Sequence, residues 1–253
     1  MIPILTPQRH QIITNILNEQ QTAKIHELAE ATGASEATIR RDLSQLENEN
    51  KLKRVHGGAS VLHQKREELS IPEKSTQNLN QKQLLARYAA ELIREGDCIF
   101  LDAGTTTFQM IPYLKGKNIT VVTYGVSLLE ALMEYEVVTY LTGGFVKYKT
   151  KALVGQGTYH SLSQYRFDKC FLGVNGVHPT YGYTTPDPEE AFIKHAALSQ
   201  SQEAYVLGDA SKLNEVTFAK VADLHQALFI TNEKQEERVA PYQEKTTVKV
   251  VTS

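Results

Sequence analysis

The sequence predicts an α/β protein in two parts: a small helical head and a larger doubly wound, mostly parallel sheet. Three observations carry this expectation. The first sixty residues hold three short amphipathic helices followed by a basic hairpin. From residue 82 apolar strands alternate with helices, the pattern of a parallel sheet covered on both faces. Between them the stretch 60–81 is polar and lacks clear periodicity, and reads as a linker. The expected organisation is therefore a head over 1–59, a linker over 60–81 and a second domain over 82–253.

Composition permits this division. With 253 residues, 41% hydrophobic and 22% charged, the chain can build packed cores, and wholesale disorder is excluded. The net charge of −2 gives no global argument for nucleic acid, but its distribution does. Residues 1–66 carry nine Lys/Arg against seven acids, five of the nine between 40 and 54, whereas the remainder is acidic. Cys98 and Cys170 sit in apolar runs and read as buried free thiols of a reducing cytoplasm. "MIPIL" is too short for an export signal, and no apolar run approaches the ~18 residues a membrane span needs.

In the head, "RHQIITNILNEQ" places Ile12, Ile13, Ile16 and Leu17 on one helical stripe, and "AKIHELAEATG" places Ile25, Leu28 and Ala29 on another, stopped by Gly33. Ser35 is positioned to cap a third helix, "EATIRRDLSQLENEN". Ile39, Leu43 and Leu46 form its inward stripe. Ala37, Arg41, Ser44, Gln45 and Asn48 face outward, with Thr38 and Arg40 on the flanks. Two helices joined by a tight glycine turn make a helix-turn-helix. The outward face of the last helix offers groups that hydrogen-bond base edges and phosphates. "KLKRVHGG" follows as a strand and glycine turn, a β-wing whose Lys51, Lys53, Arg54, His56 and Gly57 are candidates for the flanking backbone. The alternative is a small helical domain with a solvated polar face.

In the second domain, "DCIFLDAG", "NITVVTYG", "VVTYLTGG", "DKCFLGVNG", "EAYVLGDAS", "ALFITN" and "TVKVVTS" read as strands. "KQLLARYAAELIREG", "TTTFQMIPYLKG", "VSLLEALMEYE" and "PEEAFIKHAALSQS" read as helices. Polar and glycine residues cluster just past the strands' carboxyl ends, where such folds keep ligands. In "DAGTTT", Gly104 lets the backbone turn closely, and Thr105, Thr106 and Thr107 set hydroxyls beside the N–H groups of a helix start, a combination suited to phosphate. No G-x-x-x-x-G-K-[ST] occurs, which disfavours a nucleoside triphosphate. Lys194 and Lys212 are candidate cations, and Asp102, Glu190 and Asp209 candidate acceptors for sugar hydroxyls. For Glu190 and Lys194 an ordinary i,i+4 ion pair is the alternative.

The run "ATGASEATIRRDLSQLENENKLKRVHGGA" resembles the winged helix-turn-helix signature of the DeoR family of bacterial sugar-operon repressors. The resemblance continues through Asp102–Thr106, Gly143–Gly144, Asp168–Gly176, Gly182–Thr184, Glu190–Lys194 and Asp209–Lys212. It implies that the helix bearing Ser35, Thr38, Arg40 and Arg41 enters the major groove of operator DNA, with Asp42 orienting a neighbouring arginine. It also implies an effector domain similar to ribose-5-phosphate isomerase that binds a phosphorylated sugar through the residues above together with Tyr124, Gly144 and Asn175. Tyr124 stands where the family usually has Asn. The expected protein is a cytoplasmic, non-enzymatic repressor of a sugar-utilisation operon, a dimer or tetramer, with no metal and no cofactor. Two alternatives stand beside it: a sugar-phosphate isomerase with an appended helical domain, and a constitutive DNA-binding protein whose large domain serves assembly alone.

Overall fold

The structure, a computed structural model, describes residues 5–252 apart from 21, 50, 56 and 62–68. Contacts divide the chain into two compact units, residues 1–64 and 65–253.

The first unit contains α1 (Thr6–Gln20), β1 (Thr22–Lys24), α2 (Ile25–Thr32), α3 (Glu36–Asn48), β2 (Leu52–Val55) and β3 (Gly58–Val61). Gly33 ends α2 in the left-handed region at φ 65°. Two residues later Ser35 caps α3, its side chain accepting a hydrogen bond from the Thr38 amide at 3.2 Å. Those two local devices make the tight turn of the helix-turn-helix. Ile39, Leu43 and Leu46 of α3 are fully buried against Ile13, Leu17 and Leu28. The wing is a three-stranded antiparallel sheet in the order β1-β3-β2. Its third strand, β1, has no sequence signature: three residues are too few to show alternation. Gly58 is required by close approach, since a Cβ there would meet the Ala23 carbonyl oxygen at 2.2 Å.

The second unit begins with α4 (Ile71–Thr76) and α5 (Leu79–Glu91), followed by β4 (Cys98–Leu101), α6 (Thr105–Phe108), β5 (Thr120–Thr123), α7 (Leu129–Glu134) and β6 (Val138–Leu141). Then come β7 (Phe145–Lys147), β8 (Ala152–Val154), α8 (Gln156–Leu162), β9 (Phe167–Gly173), β10 (Gly176–His178), β11 (Gly182–Thr185) and α9 (Pro188–Ser199). The chain closes with β12 (Ser201–Leu207), β13 (Ala219–Ala222), β14 (Leu228–Thr231), α10 (Glu236–Gln243) and β15 (Val248–Val250). Seven strands form a wholly parallel sheet in the order β15-β14-β12-β9-β4-β5-β6. One core lies around Phe100, Cys170, Leu172 and Phe229, a second around Leu85, Leu101, Phe171 and Ile230. Neighbouring residues of one strand feed different cores, the signature of a sheet covered on both faces. Two small antiparallel sheets, β7-β8 and β10-β11-β13, complete the unit.

The stretch expected as linker differs from that reading. Ser60 and Val61 belong to the wing, Ile71–Thr76 is helical and Leu79 already starts α5; residues 62–68 of that stretch lie outside the described residues. The helix α4 escapes a periodicity search because none of its residues is buried, so it has no apolar stripe. Among the described residues no helix is long and apolar enough to cross a membrane, and no cluster of His, Cys, Asp or Glu is placed to hold a metal ion.

Candidate nucleic-acid interface and ligand cleft

The outward face of α3 is polar and open. Ala37, Arg40, Arg41 and Gln45 are exposed, and Thr38 and Ser44 are half-buried. Arg41 is exposed, and no hydrogen bond or ion pair joins it to the other described residues. Arg40 pairs with Glu36 one turn away (3.0 Å); both are exposed, and such a pair holds weakly and exchanges readily for phosphate. Gln45 donates to Glu49 (2.9 Å). Ser44 is more committed: its hydroxyl donates to the Arg40 carbonyl and accepts from Arg54 Nη1, both at 2.9 Å. Arg54 also donates its amide to Glu47 at 2.9 Å. The wing arginine thus lies against α3 with its side chain exposed. Lys51, Lys53 and Gly57 are exposed along the hairpin. His56 lies outside the described residues.

Asp42 is buried, unlike its neighbours in "RRD". The arginine it binds is neither Arg40 nor Arg41 but Arg9 of α1, through Nε at 2.5 Å and Nη2 at 2.9 Å, with His10 at 3.2 Å. Burial pushes its carboxyl up, but the hydrogen bonds from Arg9 and His10 outweigh that and hold it below the usual carboxylate range. The pair clamps α3 to α1.

In the second unit, one cleft of about 130 Å³ collects most of the expected ligand residues: Asp102, Gly104, Thr105, Thr106, Asn175, Glu190, Lys194, Asp209 and Lys212. They come from the carboxyl ends of β4, β9 and β12 and from α9, the crevice that the crossing connections of a parallel sheet leave open.

Three expected residues are not on its wall. Tyr124 is fully buried with its ring stacked on Phe100 at 5.9 Å, and the Lys194 ammonium lies 6.0 Å from its ring centroid; it supports the site from within the core. Thr107 is buried and donates its hydroxyl to Asp102 Oδ1 at 2.6 Å. Gly144 is a packing glycine: its φ is +132°, and a Cβ would fall 2.0 Å from Thr158 Oγ1.

Asp102 lines the cleft but has no acceptor capacity left for a sugar. Oδ1 accepts from the Gly104 amide (3.0 Å) and Thr107; Oδ2 accepts from the Gly173 amide (2.8 Å) and Lys194 Nζ. Those four donors occupy the four lone-pair sites of a carboxylate. Its role is to fold the "DAGTTT" turn and fix Lys194. That lysine also donates to the Gly173 carbonyl at 3.0 Å, so one of its three donors remains for a ligand. No Glu190–Lys194 pair forms. Glu190 instead accepts from Lys147 Nζ (3.0 Å) and Thr150 Oγ1 (2.8 Å). Asp209 accepts from the amide and hydroxyl of Ser211 and from Asn78. Asn175 Oδ1 accepts from Thr185 (3.1 Å), leaving its amide donors. Because α6 is a single turn, its macrodipole is small; what it offers is its first N–H groups, which have no partner within the helix.

The cleft also contains residues the sequence did not single out: Lys74, Gln77 and Asn78 from α4 and its end, Lys82 of α5, Thr150 and Thr185. Lys82 is the most perturbed. Burial pushes its ammonium down to about 8; repulsion from Lys212 and Lys74 adds to this, and Asp209 opposes it. No motif could have found this cluster, because its members are far apart in sequence and lie among ordinary helix residues.

Comparison with known proteins follows this geometry. The DeoR-like helix-turn-helix domain matches residues 9–65 and the DeoR C terminal sensor domain residues 77–233. The uncharacterized HTH-type transcriptional regulator FruR of Bacillus subtilis (strain 168) is 51% identical over 249 residues, 98% of this chain and 99% of that protein. A lactose phosphotransferase system repressor of Staphylococcus epidermidis is 34% identical over 220 residues, 85% of this chain and 86% of its own length. Ribose 5-phosphate isomerase A of Methanocaldococcus jannaschii overlaps 53% of this chain and 54% of its own, at 20% identity and a TM-score of 0.41, an overlap too partial to bear on function. A reading helix with open arginines, a braced wing and a sensor domain matched over 157 residues leave one conclusion: the chain belongs to the DeoR family of DNA-binding transcriptional regulators.

Proposed function

We propose that the protein represses a sugar-utilisation operon and is released from its operator by a phosphorylated sugar bound in the sensor cleft. The observation that carries this reading is the convergence of Lys74, Lys82 and Lys212 on the cleft that Thr105 and Thr106 also line. Repulsion from Lys212 and Lys74 helps lower the Lys82 ammonium even with Asp209 beside it, and a phosphate would offset that repulsion. A phosphate there would gain the lysines and the first N–H groups of α6. Asn175 and Thr185 remain to meet sugar hydroxyls. The relative named as a repressor of a phosphotransferase system supports the same chemistry.

The cleft's carboxylates favour sensing over turnover. Asp102, Glu190 and Asp209 are each tied to protein donors, whereas an isomerase needs a base free to take a substrate proton. On the DNA side a single head of this size reads few base pairs, so two or more must act together. A homo-oligomer built through the sensor unit meets that requirement.

The test is a thermal-shift screen with pentose and hexose phosphates and their unphosphorylated parents, followed by operator band-shift with each stabilising compound. Stabilisation by a phosphorylated sugar alone, with loss of the shifted band, is the expected result. Equal stabilisation by the unphosphorylated sugar, or turnover of ribose 5-phosphate, overturns it.

A further inference from the structure

Among the described α-helices of the sensor unit, α4, six residues long, alone has no buried residue. Its start is secured locally: the Ser70 amide and hydroxyl both donate to Glu73 Oε2, at 2.8 and 2.6 Å, and Pro72 lies in its first turn. A helix this short has little stability of its own in water. Its ties to the sensor include the Ile71 amide to the Lys149 carbonyl at 3.3 Å, the Lys74 carbonyl to Lys82 Nζ, and just beyond its end Asn78 to Asp209 and Ser211 at 3.3 and 3.4 Å. Elements held by few buried contacts open at low cost.

Its position is equally particular. Ile71 and Lys74, with Gln77 and Asn78 just beyond, line the lysine-rich cleft, while Ile71 and Ser75 also line a second cleft beside Phe108, Val126 and Tyr148. Ile71, with Ala103, Gly104 and Thr105, lines both, so the helix stands where the two cavities meet. Among the described residues it is also the first helix after the DNA-binding unit.

We propose that α4 is the moving part of the sensor: an anion in the cleft is held by Thr105, Thr106 and Lys212 on one wall and by Lys74 of α4 on the other, so that occupancy orders α4. The ligand thereby fixes the place where the chain leaves the sensor toward the DNA-binding unit. This rests on the reading of the cleft as an anion site, and it adds the route by which binding is transmitted. A ligand shifts a conformational equilibrium only through contacts that differ between its states, and Lys74 supplies such a contact from a helix that has no buried residue of its own.

The experiment is amide hydrogen exchange of the full chain in sodium phosphate against sodium chloride of equal ionic strength, with thermal shift recorded in parallel. Phosphate is expected to raise the melting temperature and to slow exchange over 71–78 about tenfold, leaving β4 and β9 unchanged. Lys74→Gln should reduce the thermal shift, because it removes one group that holds the anion, and abolish the slowing over 71–78; Lys74→Arg should restore both. Stabilisation without slowing at α4, or slowing that survives Lys74→Gln, overturns the route while leaving the anion site standing. Absence of any stabilisation by phosphate overturns both.

Discussion

The two units each contain a buried aspartate next to a motif that looks functional, and the two aspartates work in opposite directions. Asp42 follows Arg40 and Arg41 in α3; it turns inward to Arg9, while both of those arginines stay exposed, Arg40 beside Glu36. Asp102 precedes the threonines of the sensor turn. It draws Gly104, Thr107, Gly173 and Lys194 around itself and so shapes a concave wall. The contrast teaches where functional groups reside on each surface. A DNA-reading face needs flexible donors on a rigid helix, so its carboxylate serves orientation alone. A ligand cleft needs donors fixed before the ligand arrives, and its carboxylate is the fixing agent.

The comparison can be broken at its strongest point first. Asp102→Ala leaves the Lys194 ammonium buried without its counter-ion, which costs about 3–5 kcal/mol. Denaturant unfolding of the sensor unit should show that loss, with the DNA-binding unit unmoved, and Asp102→Leu combined with Lys194→Met should recover much of it. Asp42→Ala is expected to cost the head about 3 kcal/mol by freeing Arg9, seen as earlier melting of the DNA-binding unit. Because the folded carboxyl of Asp42 lies below its unfolded value, this contribution is complete above the ordinary aspartate pKa of about 4 and fades as pH falls below it. Acid unfolding of the wild-type head should therefore be steeper than that of the variant. Arg41→Ala should weaken operator binding by about 1–3 kcal/mol, roughly 5- to 150-fold, with an unchanged melting temperature; retained affinity would remove the residue from the groove.

The smallest effect concerns pH. Lys82 in the folded protein titrates near 8, below the ordinary lysine value, so it loses its positive charge as pH rises from 7 to 9. Affinity for a phosphorylated sugar, whose phosphate is already a dianion in that range, should fall by up to about tenfold across it. Lys82→Met should flatten the profile. A profile that stays steep in that variant would place the titrating group elsewhere.

Much of this was legible in the sequence because buried parallel strands declare themselves as continuous apolar runs. "CIFL", "VVT", "CFLG", "YVL" and "LFIT" are all strands of the one sheet. The three- and four-residue strands β1, β7, β8, β10, β11 and β13 were not legible; their order comes from packing, below the length at which alternation can be seen. The helix α4 had a visible signal, Ser70 with Glu73 three residues on and Pro72 between, but no apolar stripe to accompany it. At the site, the glycine and threonine turn and the strand-end residues could be read one by one. The lysine cluster could not, because Lys74, Lys82 and Lys212 meet only once the sheet has folded. Tyr124 misled for a related reason: a polar tip at a strand end looks like a ligand group until its ring is found stacked on Phe100.

Arg54 grips Ser44 with its side chain and Glu47 with its amide, so the hairpin is stitched to the helix at two points. Cutting the side-chain stitch with Arg54→Ala is expected to quicken amide exchange over 52–55 while the core around Leu43 stays shut.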